Sequence, residues 1–153
     1  MKELKEIKPL KGFGDIKFGV SQDEVLKLLG EPSEKETIDV EGEIHEVEVW
    51  SYWDDGHSLY FEKDLNNVCT NFETDNEGVT LFGEKVFAMN QDQIIALMKT
   101  NDFSDFEIED DPELDELIVF FHEAHMQFVF ENGRLELVSW AVAMNDKEEI
   151  MWP

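Results

Sequence analysis

Four histidines and one cysteine are the side chains of this sequence best suited to metal binding or nucleophilic chemistry. The string His122-Glu123-Ala124-His125 is one residue short of the HExxH pattern that binds zinc on a helix. We predict a hairpin there, and two histidines three residues apart on a strand would point to opposite faces. Asp54, Asp55 and His57 could form an acid-base group, but an Asp55-Gly56 turn accounts for the same residues.

The densest run of acids, EDDPELDE, spans Glu109 to Glu116. It lacks the spaced oxygen ligands and the glycine of an EF-hand loop, so we predict a solvated connection or strand edge. Cys69 has no adjacent base, no serine lies in a nucleophile elbow, and no glycine-rich phosphate loop is found. The sequence therefore predicts no catalytic residue, no metal site and no cofactor.

Net charge is the most unusual property of the chain. Twelve Lys and Arg residues stand against 37 Asp and Glu residues, a formal charge of 12 − 37 = −25. Such a field repels nucleic acid and anionic lipid, and it attracts basic surfaces. A basic protein is the partner that this charge favours, and direct nucleic-acid binding is not expected. The alternative is that the acids only keep the chain soluble and monomeric.

Length and apolar patterning predict one domain, residues 1–153, in a soluble chain. No stretch approaches the roughly 18 apolar residues of a membrane span, so no membrane insertion is expected. The first residues, MKELKEIKPLKGFGD, have neither the apolar run of a signal peptide nor a lipidation cysteine, which predicts a cytoplasmic protein. We expect a monomer or weak dimer.

A shift of 69 positions aligns the chain with itself without gaps. The shift predicts two copies of one supersecondary unit, residues 14–76 and 83–145. Identical pairs include Gly14/Gly83, Phe18/Phe87, Gln22/Gln91, Asp23/Asp92, Leu28/Leu97, Phe61/Phe130 and Glu62/Glu131.

Each copy begins with a capped helix and continues with a period of two. Ser21 with Glu24, and Asn90 with Gln93, have the spacing of capping boxes. The alternating residues that follow the first helix contain turns at Glu41-Gly42 and Asp55-Gly56. We predict an α+β fold: two tandem helix-plus-four-strand repeats that form a continuous antiparallel sheet with the helices on one face.

The other face of the predicted sheet is unusually apolar. With Asp55-Gly56 as a two-residue turn, Trp53 pairs with Ser58 and Trp50 pairs with Phe61. Strand alternation then places one set of side chains on that face, unless terminal segments or a dimer partner cover it. The set is Val49, Ser51, Trp53, Tyr60, Ile118, Phe120, His122, Val129, Val138 and Trp140. We predict Trp53, Tyr60, Phe120 and Trp140 as anchors for a partner, with Asp54, Asp55 and the run 109–116 as rim charges.

Residues 16–32 carry the pattern Ile-x-Phe-Gly-Val-Ser-x-x-Glu-Val-x-x-Leu-Leu-Gly-x-Pro. This pattern resembles the repeat of the BamE-like (SmpA-like) small envelope proteins. The tandem helix-then-strands arrangement is similar to that of the β-lactamase inhibitory proteins, whose concave sheet grips an enzyme. The resemblance implies a non-catalytic binding fold. The chain lacks the lipidation cysteine of the former and the disulfides of the latter.

Charge, the apolar face and the lack of catalytic motifs lead to one hypothesis about function. The sequence predicts an acidic protein-binding module, most concretely an immunity-type inhibitor that occludes a basic partner such as a toxin. The alternatives are a nucleic-acid mimic and an envelope or assembly module. An enzyme is the least supported class.

Overall fold

The computed structural model describes residues 3–39 and 46–153, of which 47% lie in strands and 17% in helices. The predicted Glu41-Gly42 turn and His45 fall outside the described residues. Two α-helices are present in the described chain, α1 (Gln22–Leu29) and α2 (Gln91–Thr100), with 3₁₀ turns at Lys63–Leu65 and Val86–Ala88. The strands are β1 (Glu6–Lys8), β2 (Gly12–Phe13), β3 (Ile16–Lys17), β4 (Glu34–Asp39), β5 (Glu46–Tyr52), β6 (His57–Glu62), β7 (Val68–Thr74), β8 (Thr80–Leu81), β9 (Glu84–Lys85), β10 (Phe106–Asp111), β11 (Glu116–Phe121), β12 (Met126–Glu131), β13 (Arg134–Ala141), β14 (Ala143–Met144) and β15 (Ile150–Met151).

Eight strands form the main sheet, in the order β10-β11-β12-β13-β7-β6-β5-β4, with every neighbouring pair antiparallel. β7 and β13 meet at its centre, where Phe72 lies opposite Trp140. The strands at the two ends of this order, β4 and β10, carry half of the acids of the sheet.

A second sheet of five very short strands, β3-β2-β1-β8-β9, packs against the main sheet. Its β1 and β8 run parallel, with Ile7 opposite Leu81. The Phe13 ring packs edge-on against Trp140, with 5.0 Å between ring centroids. The Trp140 indole Nε1 donates a 2.9 Å hydrogen bond to the Gly12 carbonyl. This contact joins the two sheets through the buried core.

The predicted α+β class of two helix-plus-four-strand repeats is wrong. The protein is mainly β, with sheets of eight and five strands and only two α-helices in the described residues. Sequence patterning missed the small sheet because strands of two or three residues are too short to show alternation. It also missed the β14–β15 pair. The division into two repeated units within one domain stays a prediction.

The two helix starts follow the predicted caps. The Asn90 side chain accepts from the Gln93 amide and the Gln93 side chain accepts from the Asn90 amide, both at 2.9 Å, so the second capping box is confirmed. At the first helix the structure describes one of the two bonds of the predicted box: Ser21 Oγ accepts from the Glu24 amide at 3.3 Å. Both helices bury their apolar stripes in the same core: Val25, Leu29, Ile94 and Met98.

The predicted register of the β5–β6 hairpin is wrong by two residues. Tyr52 pairs with His57 and Trp50 pairs with Leu59, so the loop contains four residues, 53–56. The amides of Asp55 and Gly56 both donate to the Tyr52 carbonyl, and Gly56 has a φ of 74°. A slip of two preserves the face on which each strand residue lies.

Candidate protein-binding face

The main sheet has one covered side and one side that we call the open face. The covered side contacts the helices and the five-stranded sheet. On the other side, six apolar side chains are half-exposed and lie outside the core cluster. They are Val49, Tyr60, Ile118, Phe120, Val129 and Leu137.

A row of mostly polar side chains, which we call the polar row, crosses the middle of the open face. Successive strand pairings place the half-buried Glu73 of β7 at its centre, with Ser139 on one side and Ser58 on the other. From edge to edge the row reads Glu107, Phe120, Gln127, Ser139, Glu73, Ser58, Ser51 and Glu34. The face therefore combines half-exposed apolar groups with a central carboxylate.

Glu73 and Tyr60 form a hydrogen-bonded pair in this row. The Tyr60 hydroxyl donates to Glu73 Oε2 at 3.1 Å. Burial raises the pKa of Tyr60 to about 12, and the nearby Glu73 charge acts in the same direction. Burial also raises the pKa of Glu73 above its ordinary value, although the Tyr60 hydrogen bond opposes that change. The carboxylate is thus partly removed from water.

Both edges of the open face are acidic. Every residue of β4 is exposed, and Glu34 and Glu36 point to the open face opposite Ser51 and Val49. At the far edge, Glu107, Glu109 and Asp111 occupy the same side of β10, at positions opposite β11. Seven strand spacings place the two edges roughly 34 Å apart before twist is considered. By contrast, Lys8, Lys17 and Lys85 lie in the five-stranded sheet.

Five of the six predicted partner-binding residues lie on or beside the open face. Tyr60 and Phe120 occupy it four strands apart, roughly 19 Å by strand spacing. Trp53 directly follows β5, is 61% exposed, and its amide donates to Ser33 Oγ at 3.1 Å. Asp54 and Asp55 are exposed in the same loop. Whether these residues bind a partner stays a prediction.

The placement of Trp140 on this face is wrong. Trp140 is 1% exposed in the core, and Val138, placed with it, is fully buried. The cause is a β-bulge between β12 and β13: Val129 pairs with Leu137, whereas Phe130 pairs with Leu135. The extra residue shifts alternation along β13 by one position, so the expected outer residues turn inward. Trp140 stabilises the fold and cannot contact a partner directly.

Sequence reasoning missed Glu73. The segment Val68–Thr74 alternates, with Phe72 buried and Asn71 and Glu73 partly exposed. That period of two could have placed Glu73 beside Tyr60 on one face. The antiparallel pairing of Tyr60 with Asn71 then brings the two side chains within reach of each other.

The candidate acid-base group does not form a reactive site. His57 is 4% exposed, and its Nδ1 lies 2.8 Å from Thr74 Oγ1 in the core. Burial lowers the pKa of His57, although the charges of Asp55 and Asp75 act in the opposite direction. His122 Nε2 lies 3.4 Å from Glu107 Oε1 at the sheet edge. Among residues 3–39 and 46–153, no group of three or more His, Cys, Asp or Glu side chains could hold a metal ion.

The cysteine is equally unsuited to chemistry. Cys69 is fully buried, and burial raises the pKa of its thiol to about 12. Since the thiolate is the nucleophilic form, we expect this thiol to be unreactive in the folded protein. Neither described helix is long and apolar enough to cross a membrane.

Comparison with known proteins gives little further information. No protein-family model matches the chain, and no curated protein does. A crystal structure of an extracellular protein containing a SCP domain, from Bacillus anthracis strain Ames, is similar with a TM-score of 0.49 and 17% sequence identity. The match covers 82% of this chain and 44% of that one, so the chain spans less than half of that structure. A similarity at this level supports no conclusion about function.

Proposed function

We propose that this protein binds a basic protein partner on its open face. One observation carries the proposal: half-exposed apolar side chains lie between two acidic edge strands on a sheet surface outside the core cluster. An apolar centre with a charged rim is the usual anatomy of a protein-binding surface. The formal charge of −25 favours a partner whose surface is positively charged.

The two kinds of side chain have different roles in this proposal. The acids at the edges attract a basic partner from a distance and speed encounter. Tyr60 and Phe120 then lose their remaining water contacts and slow dissociation. The finer form of the proposal is an immunity-type inhibitor, in which the bound partner is a toxin whose active surface is covered.

The test is capture by two alanine variants, one on the open face and one outside the main sheet. Wild-type protein, Phe120→Ala and Met151→Ala serve as baits in a lysate of the source cell. Phe120 lies on the open face, whereas Met151 is 52% exposed on β15, outside the main sheet. We expect a basic protein to bind wild type and Met151→Ala, and to bind Phe120→Ala about tenfold more weakly by calorimetry. Equal affinity for all three baits would refute the proposed face.

Salt separates this proposal from nucleic-acid mimicry. Contacts made only by exposed carboxylates weaken steeply as ionic strength rises, because salt screens exposed charges beyond roughly 10 Å at 0.1 M. Binding through the apolar centre should persist in moderate salt and depend on Phe120. Steep salt sensitivity with no effect of Phe120→Ala would favour mimicry.

A further inference from the structure

Glu73 occupies an unusual position for a carboxylate. It lies at the centre of the open face, on the strand that joins the two halves of the main sheet, rather than at the acidic edges. It is half-buried, and its hydrogen bond comes from the neutral Tyr60 hydroxyl. Within the described part of the chain, no lysine or arginine pairs with it.

A carboxylate in this position carries a desolvation cost that its own chain offsets only in part. A partner docking on the open face would remove the remaining water and increase that cost. The cost is offset if the partner supplies a cation with donors aimed at the free carboxylate oxygen. An apolar partner group here would leave the charge unpaired, which is strongly unfavourable.

The surroundings of Glu73 suit a guanidinium better than an ammonium. Tyr60 Oη bonds one carboxylate oxygen, Oε2, and leaves Oε1 for another donor. The Tyr60 ring lies on the same face, where a planar guanidinium can stack on it. The hydroxyls of Ser58 and Ser139, on the two neighbouring strands, offer further acceptors for its remaining N–H groups.

We propose that Glu73 and Tyr60 form a receptor for an arginine side chain inserted into the centre of the open face. The inference rests on the proposed function, because the arginine belongs to the basic partner. It adds that the partner is held by one central arginine as well as by long-range charge attraction.

The test uses a defined probe and needs no identified partner. N-acetyl-L-arginine amide is titrated into ¹⁵N-labelled protein and followed by NMR, with the neutral citrulline amide and the lysine amide as comparisons. The variants are Glu73→Gln and Tyr60→Phe. Glu73→Gln keeps the shape of the side chain and an oxygen that can accept from the Tyr60 hydroxyl. Glu34→Gln is the matched control, because Glu34 lies in the same polar row but at the exposed edge.

We expect the arginine amide to shift the amide resonances of Ser58, Tyr60 and Glu73, and the citrulline amide to leave them unchanged. Glu73→Gln should weaken binding about tenfold, as expected for loss of a hydrogen bond to a charged group, while Glu34→Gln changes it less than about twofold. Equal binding by wild type and Glu73→Gln, or equal shifts with citrulline, would overturn the receptor. Equal binding of the lysine amide would overturn the assignment to arginine.

The two proposals fail in different ways. If a captured partner loses affinity for Phe120→Ala but binds Glu73→Gln as tightly as wild type, the arginine receptor is refuted and the proposed face stands. The opposite result is that the arginine amide binds at Glu73 but a captured partner binds Phe120→Ala as tightly as wild type. In that case the receptor is supported as a site for arginine, and the proposed protein-binding face is refuted.

Discussion

Replacing Trp140 by phenylalanine should lower the free energy of unfolding by roughly 2–4 kcal/mol. The change removes the buried indole donor and leaves the Gly12 carbonyl without its 2.9 Å hydrogen bond. An unsatisfied buried polar group costs about 1–3 kcal/mol. The smaller ring also gives up contacts with Phe13 and Phe72, whose ring centroids lie 5.0 and 5.6 Å away, for about 1 kcal/mol more.

Urea denaturation followed by far-UV circular dichroism measures this effect. The matched control is Trp53→Phe, the same substitution at an indole that is 61% exposed. We expect the control to stay within about 0.5 kcal/mol of wild type. A Trp140→Phe variant as stable as wild type would refute the core placement of Trp140, and so would a Trp53→Phe variant destabilised by the same amount.

Three further predictions concern a tight turn, a thiol and a buried imidazole. A Cβ on Gly12 would lie 2.0 Å from the Ile16 carbonyl oxygen, so Gly12→Ala should lower the free energy of unfolding by at least about 3 kcal/mol. Gly133 has a φ of 77° and open space around it, so Gly133→Ala should lower the free energy of unfolding by about 1–2 kcal/mol. Equal melting temperatures for the two variants would contradict the clash. Because burial raises the pKa of Cys69 to about 12, a disulfide reagent at about pH 8 should label it only on unfolding, and rapid labelling of native protein would show that it is accessible. Burial lowers the pKa of His57 in the folded state, so the unfolded state takes up the proton first and stability should fall as pH drops below about 6.5. Urea midpoints between about pH 7.5 and 5.5 should show a flatter profile for His57→Asn than for wild type, and parallel profiles would exclude this role for the imidazole.

The parts of the candidate site that the sequence predicted depend on local rules. Alternation along each strand placed Tyr60 and Phe120 on the same face of the sheet. The two-residue error in the hairpin register did not change that placement, because side chains alternate with a period of two. The capping box at Asn90 likewise depends on residues within one turn of chain. The acidic run 109–116 was visible in the sequence, and the structure places its first three residues at the end of β10.

The errors arose where distant segments meet. A bulge in the pairing of β12 with β13 turned Trp140 inward, and a bulge depends on the partner strand as well as on the chain that contains it. The five-stranded sheet joins residues 6–17 to residues 80–85 through strands of two or three residues, which carry no periodic signal. Glu73 gains its central position only when β7 pairs with β13.

The sequence by itself determined the net charge, the capped helices and the side chains that alternate within each long strand, because these follow from composition and from neighbours along the chain. Tertiary structure decided the fold class, the hairpin loops, the burial of Trp140 and the hydrogen bond between Tyr60 and Glu73. Those features depend on which strands become neighbours and in what register, and pairing between distant segments is set by packing of the whole core.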